Sequence, residues 1–418
     1  MASNRLSLYI ITLKTRFKLL EKATAIVFLS IVAQHSYAQS ITLSDVLNAT
    51  IEKTNKAHSQ TFSADKKYYS WLAASPTLAV SHLSSDLNSG TDENEVKVNL
   101  AIKSSLQRTI DQQLKTSSQA SQALLQSNQK LLFSGVIREQ VWQIKLAQYQ
   151  VEHLKKKITF LSRLEQQYQQ LFNSSATNQY PLLLIKKEKL TSEIAQLEQS
   201  EYVEQVLHQY QKLTGFSALP DNINEKNIST NEQENTHGNE NKLLIKHPQI
   251  KQLNQQWLEQ ELQLKLTSNN AASWQLSLSA KQLSNNDVDE TQIGVSAEIP
   301  LTFLDVKSQS VNSEWLSASN NYQLAKQELW LTLQNKYRRL QSQQIILNKK
   351  QSLLAQSQTI SKAIIKETQL LIDAGQIEQE EAIRRMLNAF SSKSQLTLNQ
   401  LLLRKNTAML RQAAGISL

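Results

Sequence analysis

The sequence predicts a mainly α-helical chain with a small β part, laid out as two tandem repeats in which a very long helix follows a pair of short strands. Three observations carry this. Asp92-Glu93-Asn94-Glu95-Val96-Lys97-Val98 returns about two hundred residues later as Asp289-Glu290-Thr291-Gln292-Ile293-Gly294-Val295, and Leu213-Thr214-Gly215-Phe216 returns as Ala413-Ala414-Gly415-Ile416. The chain of 418 residues holds only 7 glycines and 5 prolines, and neither occurs between Pro300 and Gly375. A stretch that long without the two strongest punctuators of structure reads as one uninterrupted element.

The first residues stand apart. Arg5, Lys14, Arg16, Lys18 and Lys22 form a basic leader, Ala23 to Ala33 an apolar core, and Ser36-Tyr37-Ala38 a small-x-small cleavage site. Residues 1–38 therefore read as a secretory signal. The apolar core falls short of the about 20 residues that span a bilayer. No cysteine occurs anywhere, which excludes a lipid anchor after the cleavage site, disulfide staples and thiolate chemistry together. Loss of five basic residues and of Glu21 lowers the net charge from +9 to about +5. The remaining charges are scattered, so no nucleic-acid surface is indicated.

After the signal the order is a first repeat over 39–216, a polar connection over 217–246 and a second repeat over 247–418. Each repeat opens on a helical lead-in. The first begins Ile41-Thr42-Leu43-Ser44-Asp45-Val46-Leu47. The strands alternate strictly. Trp274, Leu276, Leu278 and Ala280 share one face, with Gln275, Ser277, Ser279 and Lys281 opposite. Ile293, Val295 and Ala297 alternate with Gln292, Gly294, Ser296 and Glu298, and Val96, Val98, Leu100 and Ile102 alternate with Lys97, Asn99 and Lys103. Leu78 and Val80 mark a looser partner. Such alternation suits a tilted strand of an outer-membrane barrel or a half-buried strand of a soluble sandwich. Polar loops over Ser84 to Asn94 and Ser284 to Asp289 connect the strands. Four strands cannot close a barrel alone, so a membrane barrel requires several copies.

The long helices follow. Trp315, Tyr322, Leu329, Leu333, Tyr337, Leu340, Leu347, Leu354, Ile360, Ile364 and Leu371 keep helical spacing from about Lys307 to Asp373. At 1.5 Å per residue that is a rod on the order of 100 Å. The first-repeat counterpart runs from about Ser105 to Phe172, through Leu124, Leu131, Val141, Ile144, Leu154, Leu161 and Leu164. Rods of this length must lie against each other or against other copies. The stretch from Asp221 to Asn241, rich in Asn and Glu, reads as a mobile connection.

Catalytic chemistry finds no support. His58, His82, His153, His208, His237 and His247 are isolated from one another, and no phosphate-binding glycine loop, nucleophile elbow or paired-carboxylate motif occurs. No catalytic, cofactor or metal site is expected.

The two-repeat order, Val295-Ser296-Ala297-Glu298-Ile299-Pro300-Leu301 ahead of the second long helix, Asp373-Ala374-Gly375 at a helix turn, and Gly215 with Gly415 together resemble the TolC-like outer-membrane efflux proteins, and among them the branch serving heavy-metal pumps. The resemblance covers nearly all of the mature chain. It implies a homotrimer in the outer membrane of a Gram-negative bacterium, with twelve strands in one transmembrane β-barrel and the long helices in a periplasmic α-barrel. It also implies an inner-membrane efflux transporter and a periplasmic adaptor as partners, and a passive exit duct as the function. A soluble periplasmic coiled-coil adaptor or scaffold is the alternative. Asp373, Glu378 and Glu380 are the expected periplasmic gate. Acids at a helix N-terminus also serve the helix dipole, so capping is the plainer role for Glu378 and Glu380. Asn173, Ser174, Ser175, Gly375, Gln376 and Ile377 are the expected adaptor contacts. Trp274, Leu276, Leu278, Ile293 and Val295 are the expected lipid-facing strand residues. The first repeat departs from the pattern: Ile102-Lys103-Ser104-Ser105-Leu106 replaces Ile-Pro-Leu, and Asn173-Ser174-Ser175 replaces the tip glycine.

Overall fold

The computed structural model describes residues 41–57, 71–87, 89–175, 177–226, 238–267, 273–285, 287–300 and 309–418. The secretory signal, the start of the second long helix before Gln309, and residues 227–237 of the polar connection lie outside them. In chain order the elements are α1 (Leu43–Ala57), β1 (Thr77–Leu83), β2 (Asp92–Ile102), α2 (Ser105–Asn173), α3 (Tyr180–Thr214), α4 (Gly238–Ile245), α5 (Pro248–Thr267), β3 (Trp274–Ser284), β4 (Asp289–Glu298), α6 (Gln309–Asp373) and α7 (Gln379–Ala413). The duplicated order is thus present. β2 begins at Asp92, so the first hairpin loop is shorter than the sequence suggested.

Local chemistry sets the helix starts. Thr42 and Asp45 exchange hydrogen bonds, the Thr42 amide donating to Asp45 Oδ2 at 3.0 Å and the Asp45 amide to Thr42 Oγ1 at 3.2 Å. This reciprocal cap fixes the entry to α1. The Thr42 hydroxyl and amide also hold the Asp45 carboxyl below the usual carboxylate range. At α2, Ser104 accepts from the Gln107 amide while its own amide donates to Gln107 Oε1, 2.9 Å away. A capping box therefore starts the first long helix where the second repeat carries proline.

The long helices are arranged as one layer. α2 packs against α3, α6 against α7, and α2 against α7, which gives the order α3, α2, α7, α6. α5 lies against α2 and α6, and α1 against α2 and α3. The largest core joins both repeats: Val46 and Leu47 of α1 meet Ile137, Val141, Trp142 and Ile144 of α2, Val206 and Tyr210 of α3, Ala408 of α7 and Ile223 of the polar connection. A second core near the turns holds Leu161, Leu164 and Tyr168 with Leu182, Ile185, Ile383 and Met386. Of the α6 positions read as apolar, Leu333, Tyr337, Leu340, Leu347 and Leu354 are buried, whereas Trp315, Ile360 and Ile364 stay exposed.

The α6–α7 pair is registered by buried amides. Asn399 donates to the Leu347 carbonyl at 3.0 Å and to Gln351 at 2.9 Å; one heptad on, Asn406 donates to the Leu340 carbonyl at 2.9 Å and to Gln344 at 2.7 Å. A slip of either helix would strand these amides in the interior, so they specify alignment as well as stability.

Candidate functional site

The four strands form one antiparallel sheet in the order β1-β2-β3-β4, so the two repeats join through β2 and β3. Residues opposite one another across antiparallel strands share a face. The register therefore sorts side chains without ambiguity. One row runs Leu78, Val98, Leu278, Val295; the next runs Val80, Val96, Ala280, Ile293. Leu100, Leu276 and Ala297 form a third row, and Ile102 faces Trp274 at the helix-side end. The opposite face carries Lys97, Ser279 and Gly294, then Glu95, Lys281 and Gln292, then Asn99, Ser277 and Ser296. Lys281 pairs with Glu93 at 2.5 Å, and Ser277 donates to Asn99 at 2.8 Å.

Four of the five expected lipid-facing residues, Trp274, Leu278, Ile293 and Val295, are exposed, Ile293 to 85%, while Leu276 is partly covered. An uncovered apolar sheet face of this kind needs lipid or protein to cover it. Among the described residues no helix is long and apolar enough to cross a membrane.

The layer and the sheet both have open edges. Among the described residues β1 and β4 each have a free side. The outer helices of the layer carry uncovered stripes at heptad-like spacing: Leu183, Leu190, Ile194 and Leu197 on α3, and Leu324, Leu331, Ile346, Leu353 and Ile360 on α6. Each edge of the sheet thus belongs to the same repeat as one edge of the helical layer. Joining the second-repeat edge of one copy to the first-repeat edge of the next would satisfy strands and stripes at once.

The helix turns lie side by side, with the Thr177 hydroxyl hydrogen-bonded to Gln379. Asn173, Ser174, Ser175, Gly375 and Gln376 are exposed, and Ile377 is half-buried. Gly375 sits at φ 68°, and the Gln376 amide reaches back to the Leu371 carbonyl at 2.9 Å. That bond closes a left-handed helix cap suited to glycine. In the first repeat Ser175 takes the same conformation at φ 58°. Loss of the glycine has kept the turn, at the steric cost of a Cβ there.

The acids at this end differ in surroundings. Asp373 is exposed and accepts from Gln369 at 3.0 Å, just as Asn173 accepts from Gln169 at 3.0 Å in the first repeat. Glu380 is paired with Arg384 at 2.5 Å, and Glu381 with Arg385 at 2.8 Å. Glu378 occupies the N-cap position of α7, but its side chain makes no capping hydrogen bond. Among the described residues no group of His, Cys, Asp and Glu is arranged to hold a metal ion.

One constellation was not legible in the sequence. Arg138 is buried at 1% exposure and bonds Glu225, Gln412 and the Ile416 carbonyl. Arg411 adds a second cation to Glu225 at 3.1 Å. The polar connection is therefore docked through residue 226 and not loose there. The acid-rich composition that suggested mobility includes the very carboxylate that anchors it.

No protein-family profile matches the chain, and no curated protein is similar to it in sequence. Solved structures are similar in fold. The outer membrane protein VceC of Vibrio cholerae matches with a TM-score of 0.62 at 13% identity, over 90% of this chain and 96% of that one. CusC, whose structures describe transmembrane channel formation, matches with a TM-score of 0.61 at 13% identity, over 90% and 91%. The CmeC outer membrane channel of Campylobacter jejuni matches with a TM-score of 0.57 at 12% identity, over 90% and 83%. At these identities the likeness is one of fold, and the chain carries the fold of the TolC-like outer-membrane efflux channels.

Proposed function

We propose that this protein is the outer-membrane component of an efflux system, a passive exit duct and not an enzyme. The sheet register is the observation that carries the reading: one face is apolar through three consecutive rows and the other is polar between them except at Ala79 and Gly294. Three copies would supply twelve strands to one barrel, apolar side to lipid and polar side to water. Trp274, Leu276, Leu278, Ile293 and Val295 then meet lipid, with the Trp274 indole near the boundary where that ring is favoured. The helical layers would continue the same ring into the periplasm, each α6 seated on the next copy's α3.

At the far end the turns project Asp373 as a ring of three carboxylates, which would favour cations at a constriction. Glu378 belongs to the same ring, whereas the Arg384 partner of Glu380 offsets its charge. The exposed turn residues Asn173, Ser174, Ser175, Gly375 and Gln376, with Ile377 beside them, are the surface we assign to a periplasmic adaptor, which would link the duct to an inner-membrane transporter. Small solutes or metal ions would pass without being held. The mass of protein extracted by detergent from purified outer membranes tests the reading. A trimer that conducts ions in a planar bilayer is the expected result. A water-soluble monomer absent from that membrane would overturn it and favour the soluble coiled-coil scaffold.

A further inference from the structure

Within one chain, away from the α3 and α6 faces that would meet other copies, α7 forms the floor of a groove walled by α2 and α6. Its lower part is a cavity of about 400 Å3. Apolar surface comes from Tyr149 of α2, Ile365 of α6 and Phe390 of α7. Phe390 stacks on both His153 and Phe160, with ring centroids 5.5 and 5.2 Å away. Three solvent-exposed lysines line the same space, Lys156, Lys362 and Lys393, one from each helix. Among the described lining residues the single carboxylate, Glu152, is paired with Lys156 at 2.6 Å. Among the described residues Lys362 and Lys393 form no ion pair. His153 adds no acid to the balance, and burial with Lys157 and Lys156 nearby holds its pKa below the ordinary value.

A half-enclosed cavity with an apolar lining and two cations outside any ion pair, Lys362 on the α6 wall and Lys393 on the α7 floor, is complementary to a molecule with a hydrocarbon or aryl body and an anionic head. We infer that this groove binds small amphipathic organic anions, the body against Phe390, Tyr149 and Ile365 and the acid group between Lys362 and Lys393. The site is independent of the duct reading, because all of its residues come from one chain.

Naphthalene-1-sulfonate and the uncharged 1-naphthalenemethanol, titrated calorimetrically into the full-length purified protein, test it. The sulfonate should bind at least ten-fold tighter than the alcohol. The K362Q/K393Q double variant should lose that preference while its oligomeric mass and helical signal stay unchanged. Equal affinity for the two probes, or a preference that survives in K362Q/K393Q, would overturn the site. If the double variant misassembles, Lys362→Arg and Lys393→Arg, which keep both charges, should retain the preference, and its loss there would also overturn it. Failure of the duct reading would show instead in the membrane location and conductance, which these titrations do not measure.

Discussion

Both carboxylate oxygens of Glu225 are taken by the guanidinium of Arg138, Nε to Oε1 at 2.7 Å and a terminal nitrogen to Oε2 at 2.6 Å. The two residues come from different parts of the chain, the first long helix and the connection between the repeats. Because Gln412 and the Ile416 carbonyl bind the same guanidinium, this one side chain ties the first repeat, the connection and the C-terminal end together. A planar fork with five donors suits that role, whereas the three donors of an ammonium group could not make all four bonds or meet both carboxylate oxygens in one plane.

Arg138→Ala should therefore leave Glu225 a largely buried charge with only Arg411 beside it. The expected cost is about 3–5 kcal/mol, typical of breaking a buried pair by removing one partner. Glu225→Gln should cost less, about 1–2 kcal/mol, since the amide oxygen still accepts from one donor. Denaturant midpoints of the detergent-solubilised protein measure both. Equal, small effects for the two variants would mean that the cluster contributes little.

Much of the architecture was legible because period and punctuation act locally. Alternation in Trp274 to Ala280 and in Ile293 to Ala297 fixes which side chains share a face before any partner strand is known, and the register agrees. The absence of glycine and proline before Gly375 announces the long helix, which ends at Asp373. What stayed hidden depends on contacts between distant segments. Arg138 lies on a helix among other polar residues and nothing near it signals burial; its partners are at positions 225, 412 and 416. Ser175 is the converse case, since no propensity rule selects serine for a left-handed turn. The stripes on α3 and α6 were only partly readable, because an apolar residue facing another copy looks in sequence like one facing its own core.

The three left-handed glycines should respond differently to alanine. Gly215 and Gly375 have no atom within 4 Å of an added Cβ, so each substitution should cost only the conformational penalty, about 1–2 kcal/mol. At Gly415 the added methyl would lie 2.7 Å from His247 Cδ2 and 2.8 Å from Pro248 Cδ. Ring and pyrrolidine are both held in place there, so overpacking adds to the penalty and the total should reach roughly 2–4 kcal/mol. Thermal unfolding of the three variants ranks them. A Gly415→Ala variant no less stable than Gly375→Ala would contradict the close packing.

His247 is buried at 2% exposure, and desolvation, assisted by the Lys336 charge, lowers its pKa from 6.5 to about 4. The unfolded chain takes up a proton as pH falls below 6.5 while the folded chain does not until about 4. Stability linked to this residue is therefore fully present above pH 6.5 and is lost progressively as pH falls to about 4. The loss amounts to roughly 3 kcal/mol over that window. Unfolding midpoints between those limits should fall in the native protein, and the slope should flatten in His247→Gln. An unchanged slope in the variant would assign the acid sensitivity to other groups.

Asp373 offers the most direct test of the tip. The first repeat already holds its neutral isostere, because Asn173 accepts from Gln169 with the geometry in which Asp373 accepts from Gln369. Asp373→Asn should therefore keep the hydrogen bond and alter stability by less than about 0.5 kcal/mol, the usual range for a surface change. It should nevertheless remove three negative charges from the proposed ring. In planar bilayers the variant should conduct with a weaker preference for cations, and the difference should shrink as ionic strength rises and screens the ring. Glu380→Gln should have the smaller effect on selectivity, because Arg384 already offsets that carboxylate. Unchanged selectivity in Asp373→Asn would take the residue out of the conducting path and leave the turn a purely structural one.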